Sequence, residues 1–323
     1  MNPQTLLRFR TLGLWTILFV YLVIIAGSVV RASGAGMGCP DWPTCFGQLI
    51  PPTDEAQLPA NYHEIYAERG YENTQFNPVK TWTEYGNRLL GVTLGLLILM
   101  MAWSSRHYRE TDKTVFFLAL STVFLVGFQG WLGSVVVASN LQPFKITIHM
   151  VMALFLVALL IYTVTRSQRD FLIQLDVSVL PTKVKTVLLA ALVMTLLQIG
   201  MGTQVREAVD GISLMQVARQ FWREDFPILF YIHRSFSSII LFTNLWIVWT
   251  IVKTIDKQSP LCRGAIALAG AVITGILAGV SLDRLGMPAV AQPIHLLMAN
   301  LIFGLQFFLV LGLGYATKKL SDT

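Results

Sequence analysis

Residues 228–252 of this chain read ILFYIHRSFSSIILFTNLWIVWTIV, an apolar segment that carries a histidine and an arginine close to its start. A helix needs about 20 apolar residues to cross a hydrocarbon core about 30 Å thick, so this segment is long enough to span a bilayer. Polar side chains at membrane depth are costly and are usually functional, which makes His233 a candidate site residue. A second histidine, His295, follows 62 positions later (295 − 233) inside another such segment.

The composition of the chain agrees with a membrane location. Of its 323 residues, 54% are hydrophobic and 13% are charged, and the mean hydropathy of +0.60 argues against a soluble domain. The net charge of +6 does not indicate a nucleic-acid partner, because the basic residues lie in short connections between apolar segments. Three cysteines are too few for a disulfide scaffold.

Eight apolar segments predict eight transmembrane helices. The first segment resembles a signal peptide, but its apolar run exceeds the ~7–15 residues of such peptides, so we expect it to be retained. These features predict an all-α polytopic membrane protein. The segments lie at residues 13–31, 85–104, 114–137, 145–165, 184–204, 228–252, 264–282 and 292–315.

The distribution of lysine and arginine predicts the orientation of these helices. One set of connections is rich in both residues, whereas the opposite set is long and acidic. We therefore expect both termini on the cytoplasmic side of a bacterial inner (plasma) membrane, with the loops 32–83 and 205–227 outside. Apolar residues at helical spacing in 214–222 predict an amphipathic helix on the outer surface.

The chain contains an internal duplication. Asn87 and His149 are also 62 positions apart (149 − 87), and they precede His233 and His295 by 146 positions (233 − 87). Arginine follows the first position of each pair. The first and fifth segments also end in the same Gly-x-x-Val-Arg pattern, at 27–31 and 202–206.

Four predicted spans in each half give the two halves the same orientation. We predict two tandem four-helix bundles, residues 1–170 and 171–323, related by a pseudo-two-fold axis along the membrane normal. In this arrangement Asn87, His149, His233 and His295 all lie near the outer ends of their helices.

Paired imidazoles at equal depth in a bundle indicate axial ligation of a haem iron, because neutral imidazole is a good iron ligand. The alternative for each histidine alone is helix packing with a hydrogen bond to a backbone carbonyl. Arginines at the outer ends of spans are suited to haem propionates through their planar fork, with interfacial snorkelling as the alternative. These arginines are Arg31, Arg88, Arg206 and Arg234.

Two further features lie near the first half's site. Glu84 is one turn before Asn87 and shares its helix face; it is either an exposed helix-start residue or a proton acceptor beside a reacting group. Cys39 and Cys45 lie in the outer loop, where the compartment permits disulfides. They form either a structural bridge or a redox-active pair.

The segment GSVVRASGAGMGCPDWPTCFG at 27–47 closely resembles the signature of haem A synthases. Glu84-x-x-Asn87-Arg88 resembles the Glu-x-x-His-Arg element of that family, and the three other duplicated positions fall where the family has histidines. The resemblance covers nearly the whole chain. It implies oxidation of the C8 methyl of haem O to the formyl group of haem A, through a hydroxylated intermediate.

The resemblance also implies roles for individual residues. His233 and His295 would ligate a haem b in the C-terminal half, and His149 would hold the substrate haem O in the N-terminal half. Glu84 matches a residue treated in the family as catalytically important, and Cys39 and Cys45 match a pair present in many members. Haem O synthase, cytochrome oxidase assembly factors and a second copy of the chain are the candidate protein partners.

Asn87 departs from the family pattern, which has histidine at this position. A carboxamide is a poor iron ligand, so a haem in the N-terminal half has one protein ligand. Either this site is an exchangeable substrate site or this copy has lost its chemistry; Glu84, Arg88 and His149 favour the first interpretation.

Three other functions remain open from the sequence. A two-haem electron-transfer cytochrome needs two ligands per haem, which Asn87 argues against. A haem carrier or assembly factor has no need of Glu84. A secondary transporter usually has broken helices near the membrane midplane, whereas the polar residues here cluster at the outer edge.

Overall fold

Eight long helices dominate the computed structural model, which describes residues 3–215, 222 and 225–316. All eight are long and apolar enough to cross a membrane, and each predicted segment lies inside one of them, so the prediction of a polytopic all-α protein is confirmed. We label them α1 (Pro3–Ala32), α2 (Pro78–Ser104), α3 (Lys113–Ala138), α4 (Pro143–Arg166), α5 (Lys183–Leu214), α6 (Ile228–Thr254), α7 (Pro260–Arg284) and α8 (Ala291–Ala316).

Polar caps start several helices before their apolar runs begin. The Asn77 side chain accepts a hydrogen bond from the Lys80 amide, and Pro78 occupies the first turn of α2. Helix α2 therefore begins seven residues before the predicted position 85, which adds two turns that carry Thr81 and Glu84.

Helix α5 continues beyond its predicted end. It runs to Leu214, so the outer loop expected from residue 205 begins about ten residues later. Most of the predicted amphipathic segment 214–222 lies outside the described residues.

The chain divides into two compact units, Met1–Leu160 and Ile161–Thr323. In the second unit each helix packs on two neighbours, in the cyclic order α5, α6, α7, α8, which closes a four-helix bundle. A cluster that includes Leu188, Ile251, Leu261 and Leu309 fills its core. In the first unit α2 packs between α1 and α3. The domain limits at 170/171 and the pseudo-two-fold axis remain predictions.

The loop 33–77 between α1 and α2, which is predicted to lie outside, folds into a small unit that we call the cap. Cys39 and Cys45 form a disulfide, which both interpretations of the pair allow. The Asp41 carboxylate accepts hydrogen bonds from the Phe46 and Gly47 amides at 2.6 and 2.8 Å. The Phe46 ring is buried among four aromatic rings, with centroid distances of 5.2–6.4 Å, from Tyr62, Tyr66, Tyr71 and Phe76.

Candidate functional site

His233 on α6 and His295 on α8 face each other inside the second unit. Their ring centroids are 6.3 Å apart. Two imidazole nitrogens, each about 2 Å from one metal ion, place their ring centroids roughly 6 Å apart. The separation therefore fits a single iron held between the two rings.

Hydrogen bonding determines which ring nitrogen of His295 is available to bind a metal ion. His295 Nδ1 lies 2.9 Å from the Gly275 carbonyl oxygen, so Nδ1–H donates to it and Nε2 keeps its lone pair. His233 Nδ1 is buried and has no hydrogen-bond partner within the described part of the chain. The Gln198 side chain donates to the His233 carbonyl oxygen at 2.9 Å and so fixes the backbone at this position.

The protein ligands found here suit a haem iron better than a metal ion that is held by protein side chains alone. Among the residues with described positions, no group of three or more His, Cys, Asp or Glu side chains could hold such an ion. A haem iron differs because the porphyrin supplies four nitrogens, and one or two protein ligands suffice. The donor set therefore suits haem.

Glycines lie against both histidine rings of the second unit. A Cβ atom built on Gly202 of α5 would lie 3.2 Å from His233 Cε1, and one on Gly279 of α7 would lie 3.1 Å from His295 Cε1. Ordinary carbon contacts are about 3.5–4.0 Å, so a methyl group at either position pushes the ring. These two glycines set the position of each ring.

The first unit repeats this arrangement. A Cβ on Gly133 of α3 would lie 3.5 Å from His149 Cε1, and one on Gly27 of α1 would lie 3.8 Å from Asn87 Oδ1. Gly27 and Gly133 are the residues that the duplication equates with the two glycines of the second unit. Helices α1 to α4 therefore present Asn87 and His149 with the same rotational setting as the second unit presents its two histidines.

We predict that Gly202→Ala and Gly279→Ala weaken haem binding in the second unit. Overpacking costs about 1–3 kcal/mol, or about 5- to 150-fold in affinity, and displaces the ring. The measurement is haem content and the low-spin absorption spectrum of the purified protein. Gly200→Ala and Gly270→Ala are matched controls on the same helices, because a Cβ there meets no atom within 4 Å. Equal losses in the control variants would show a general helix effect instead.

Gln129 of α3 supports His149 in the first unit. Gln129 Nε2 lies 2.9 Å from the His149 carbonyl oxygen and 3.4 Å from His149 Nε2. His149 Nδ1 and Gln129 Oε1 are buried, and neither has a partner in the described ranges. Gln129 holds the repeat position of Gly275 (275 − 129 = 146), so both units place a ring-supporting group there. The sequence analysis missed Gln129, although a glutamine inside an apolar span was a usable signal.

Glu84 and Arg88 hold the disulfide loop on α2. Arg88 Nη2 pairs with Glu84 Oε1 at 2.5 Å, and Glu84 Oε2 accepts the Cys39 amide at 2.9 Å. Arg88 also donates to the carbonyl oxygens of Asp41 and Thr44 at 2.7 and 3.0 Å. Glu84 is only 4% exposed, so it is not the solvated helix-start residue that one interpretation expected.

Thr81 and Tyr71 complete this attachment. The Thr81 hydroxyl donates to the Gly38 carbonyl oxygen at 2.8 Å, and a Cβ on Gly38 would overlap the Lys80 carbonyl, so the loop lies directly on the helix. The Tyr71 hydroxyl donates to the Met37 carbonyl oxygen at 2.7 Å, and burial raises the pKa of Tyr71. Three successive turns of α2 therefore position the loop 38–45.

The remaining candidate arginines, Arg31, Arg206 and Arg234, each lie within about three turns of the helix end that is predicted to face outward. Arg206 Nη1 donates to Gln292, one turn before His295, at 2.7 Å, and Nη2 is 2.9 Å from Asp210 Oδ1. Arg234 is half-exposed; its Nη1 is 3.6 Å from Asp283 Oδ2, and its guanidinium lies over the Tyr231 ring. Arg31 occupies the last turn of α1.

A cavity of about 610 Å³ opens beside the cap, away from the histidine positions. It is lined by the disulfide loop, the segment 64–69 and the end of α3, and its charged lining residues are Asp41, Glu64, Glu68 and Arg69. None of the candidate iron ligands lines this cavity, so we assign the candidate haem positions to the helices instead.

These features define a multi-pass membrane protein with a histidine pair near one end of a helix bundle. The sequence matches the family described as cytochrome oxidase assembly protein (COX15-CtaA) over residues 10–307, and the chain belongs to this family.

Curated relatives of the chain carry the name Heme A synthase, and the proteins of three bacteria are examples. The chain is 32% identical to the protein of Shewanella oneidensis over 164 residues, which is 51% of this chain and 47% of the relative. It is 33% identical to that of Shouchella clausii over 142 residues, or 43% and 39% of the two chains. The match to that of Methylobacterium sp. (strain 4-46) is 26% identical and covers 94% and 91%. The first two matches thus span less than half of those relatives.

Proposed function

We propose that this protein is a haem A synthase, an oxidoreductase that converts the C8 methyl of haem O to a formyl group through a hydroxylated intermediate. The observation that carries the proposal is the facing pair His233 and His295 at 6.3 Å, in a chain of the COX15-CtaA family. The names of the relatives support the same activity.

The second unit would hold a haem b through these two histidines. A haem with two imidazole ligands has no open position at iron and serves electron transfer. The protein's part is to orient both rings, through Gly202, Gly279 and the Gly275 carbonyl. Arg206 and Arg234 lie near enough to the same helix ends to meet the propionates, because guanidinium groups bind carboxylates through a planar fork.

The first unit would hold the substrate haem O. His149 is the proposed iron ligand, and Gln129 Oε1 is an unpaired acceptor on a residue already bonded to His149. The Gln129 amide nitrogen donates to the His149 carbonyl oxygen and so fixes the backbone that carries the proposed ligand. Asn87 is the proposed neighbour of the iron on its other side, by the correspondence with His233, and Arg31 is the proposed propionate contact at the end of α1.

Glu84 distinguishes the first unit from the second. The duplication places Phe230 at the corresponding position of α6 (230 − 84 = 146), so the second unit has no carboxylate at this position, and its Asp283 lies on α7 against Arg234 instead. Glu84 is buried one turn from Asn87 and is held by Arg88 and the Cys39 amide. We assign it the removal or relay of protons released as the methyl carbon is oxidised. Arg88 then orients Glu84 and the loop, beside any propionate contact.

The location follows from charge. Lysine and arginine are concentrated in the connections opposite the acidic cap, which supports a bacterial inner membrane with both termini in the cytoplasm. Haem O synthase is the proposed upstream partner because it supplies the substrate, and cytochrome oxidase assembly is the process that uses the product.

The test is co-expression of this chain with a haem O synthase, followed by chromatography of the extracted haems. We expect haem A or its hydroxylated intermediate only when the chain is present. Haem O that accumulates unchanged, while haem b stays bound to the purified protein, would contradict the enzyme and indicate a carrier. The matched control is the same membrane expressing the His149→Ala variant.

A further inference from the structure

We propose that the substrate haem iron in the first unit keeps one open axial position, on the α2 side, which takes a small uncharged ligand of diatomic size with the Asn87 carboxamide as its hydrogen-bonding partner. This inference rests on the proposed function, because it requires haem O on His149. It concerns a binding position for a second, gaseous ligand in addition to the haem.

The contact of Asn87 with Gly27 indicates the direction of its side chain. Its Oδ1 lies over Gly27 as the His233 ring lies over Gly202, so both side chains leave α2 and α6 in the same direction relative to their neighbouring helices. In the second unit that direction brings a ring nitrogen to the proposed iron. By this correspondence Asn87 would meet the iron from the side opposite His149.

The Asn87 side chain is shorter than the histidine side chain at the corresponding position of the second unit. The Asn87 amide nitrogen is three bonds from Cα, whereas Nε2 of a histidine is four bonds away. With the iron held by His149 on α4, the shorter side chain leaves a gap between the amide and the metal. A carboxamide is also a poor iron ligand, so the gap is not closed by coordination.

The polarity of this face determines the class of ligand. Asn87 Oδ1 is buried and has no hydrogen-bond partner among the residues that the structure describes. The amide is uncharged and offers both a donor and an acceptor, and Gly27 leaves space beside it. A small neutral molecule such as carbon monoxide or dioxygen fits a gap of this kind, whereas a charged ligand would be desolvated without a counter-ion.

The second unit provides the contrast. There both axial positions are taken by imidazoles, so the same small ligand has no free position. One chain therefore carries one closed and one open haem. A single substitution, Asn87→His, should convert the open position into a closed one, since the duplication already gives the geometry of a histidine at this place.

The experiment uses the purified full-length protein reconstituted with haem O and reduced, and carbon monoxide is the probe. We expect one carbon monoxide bound per substrate haem, together with a high-spin spectrum before its addition. Asn87→His should give a low-spin spectrum and at least tenfold weaker carbon monoxide binding. Asn87→Leu, which removes the hydrogen-bonding groups, should keep the stoichiometry and release carbon monoxide several-fold faster.

The control is Thr93→Val, on an exposed face of α2 where the hydroxyl bonds only the Leu89 carbonyl. It should bind carbon monoxide as the parent protein does. Retention of the second unit's haem by every variant verifies folding. A substrate haem that is low-spin and does not bind carbon monoxide in the parent protein overturns the open position alone. Failure to take up any haem O overturns the proposed substrate site as well.

Discussion

Replacing His149 with alanine is expected to abolish haem A formation while the protein keeps the low-spin haem b proposed for the second unit. His149 is the only histidine of the first unit at a ligand position, and it lies in a different unit from His233 and His295. If His149 is the iron ligand, as proposed, its loss leaves haem O without a protein ligand at the iron. The two measurements are haem A in membrane extracts and the absorption spectrum of the purified variant.

Two comparisons make this prediction decisive. His295→Ala should show the converse spectral result, a loss of bound haem b, because it removes one of the two facing rings. His107→Ala changes an exposed histidine beyond the end of α2 and should leave both measurements unaltered. Turnover that survives in His149→Ala would show that haem O is oxidised elsewhere.

Glu84→Gln is expected to reduce haem A formation by about 10²–10⁴-fold, the range that a general acid or base typically contributes. The substitution keeps the size of the side chain and its ability to accept the Cys39 amide, but it removes the carboxylate that takes up a proton. Haem content and the Cys39–Cys45 bridge should stay as in the parent protein. The rate is measured from haem A accumulation, and the bridge from thiol labelling.

A structural role for Glu84 is separated from a chemical one by Thr81. Thr81→Val removes the hydrogen bond to the Gly38 carbonyl and so loosens the same loop, but it leaves the carboxylate in place. If the rate falls as far in Thr81→Val as in Glu84→Gln, attachment of the loop is what matters. Glu84→Asp, which retains a carboxylate, should recover part of the activity if proton transfer is the role.

Arg88 contacts both the disulfide loop of the cap and Glu84, the proposed proton acceptor. The same guanidinium contacts Glu84 and the carbonyl oxygens of residues on both sides of Trp42. Removing Arg88 would leave the buried Glu84 carboxylate without its counter-charge, at a cost of about 3–5 kcal/mol, whereas Glu84→Gln leaves Arg88 bonded to the carbonyl oxygens of the loop. The cap and the carboxylate are therefore held in one arrangement.

Much of the architecture was predictable from sequence because hydropathy is a local property. All eight spans were identified, since each apolar run must be long enough to cross the bilayer and must satisfy its own backbone hydrogen bonds. The predicted ends of the helices were less accurate. Asn77 and Pro78 start α2 before its apolar run, and α5 continues to Leu214, because polar caps and amphipathic turns lie beyond the reach of hydropathy.

The sequence by itself determined the membrane class, the duplicated positions and the family signature at 27–47, because spacing and composition survive without coordinates. Only the tertiary structure decided what those residues touch. It paired Arg88 with a loop more than forty residues earlier, set Gln129 against His149 and placed glycines over the rings. Such contacts depend on how helices rotate and where a long loop returns, and neither is encoded in any local pattern.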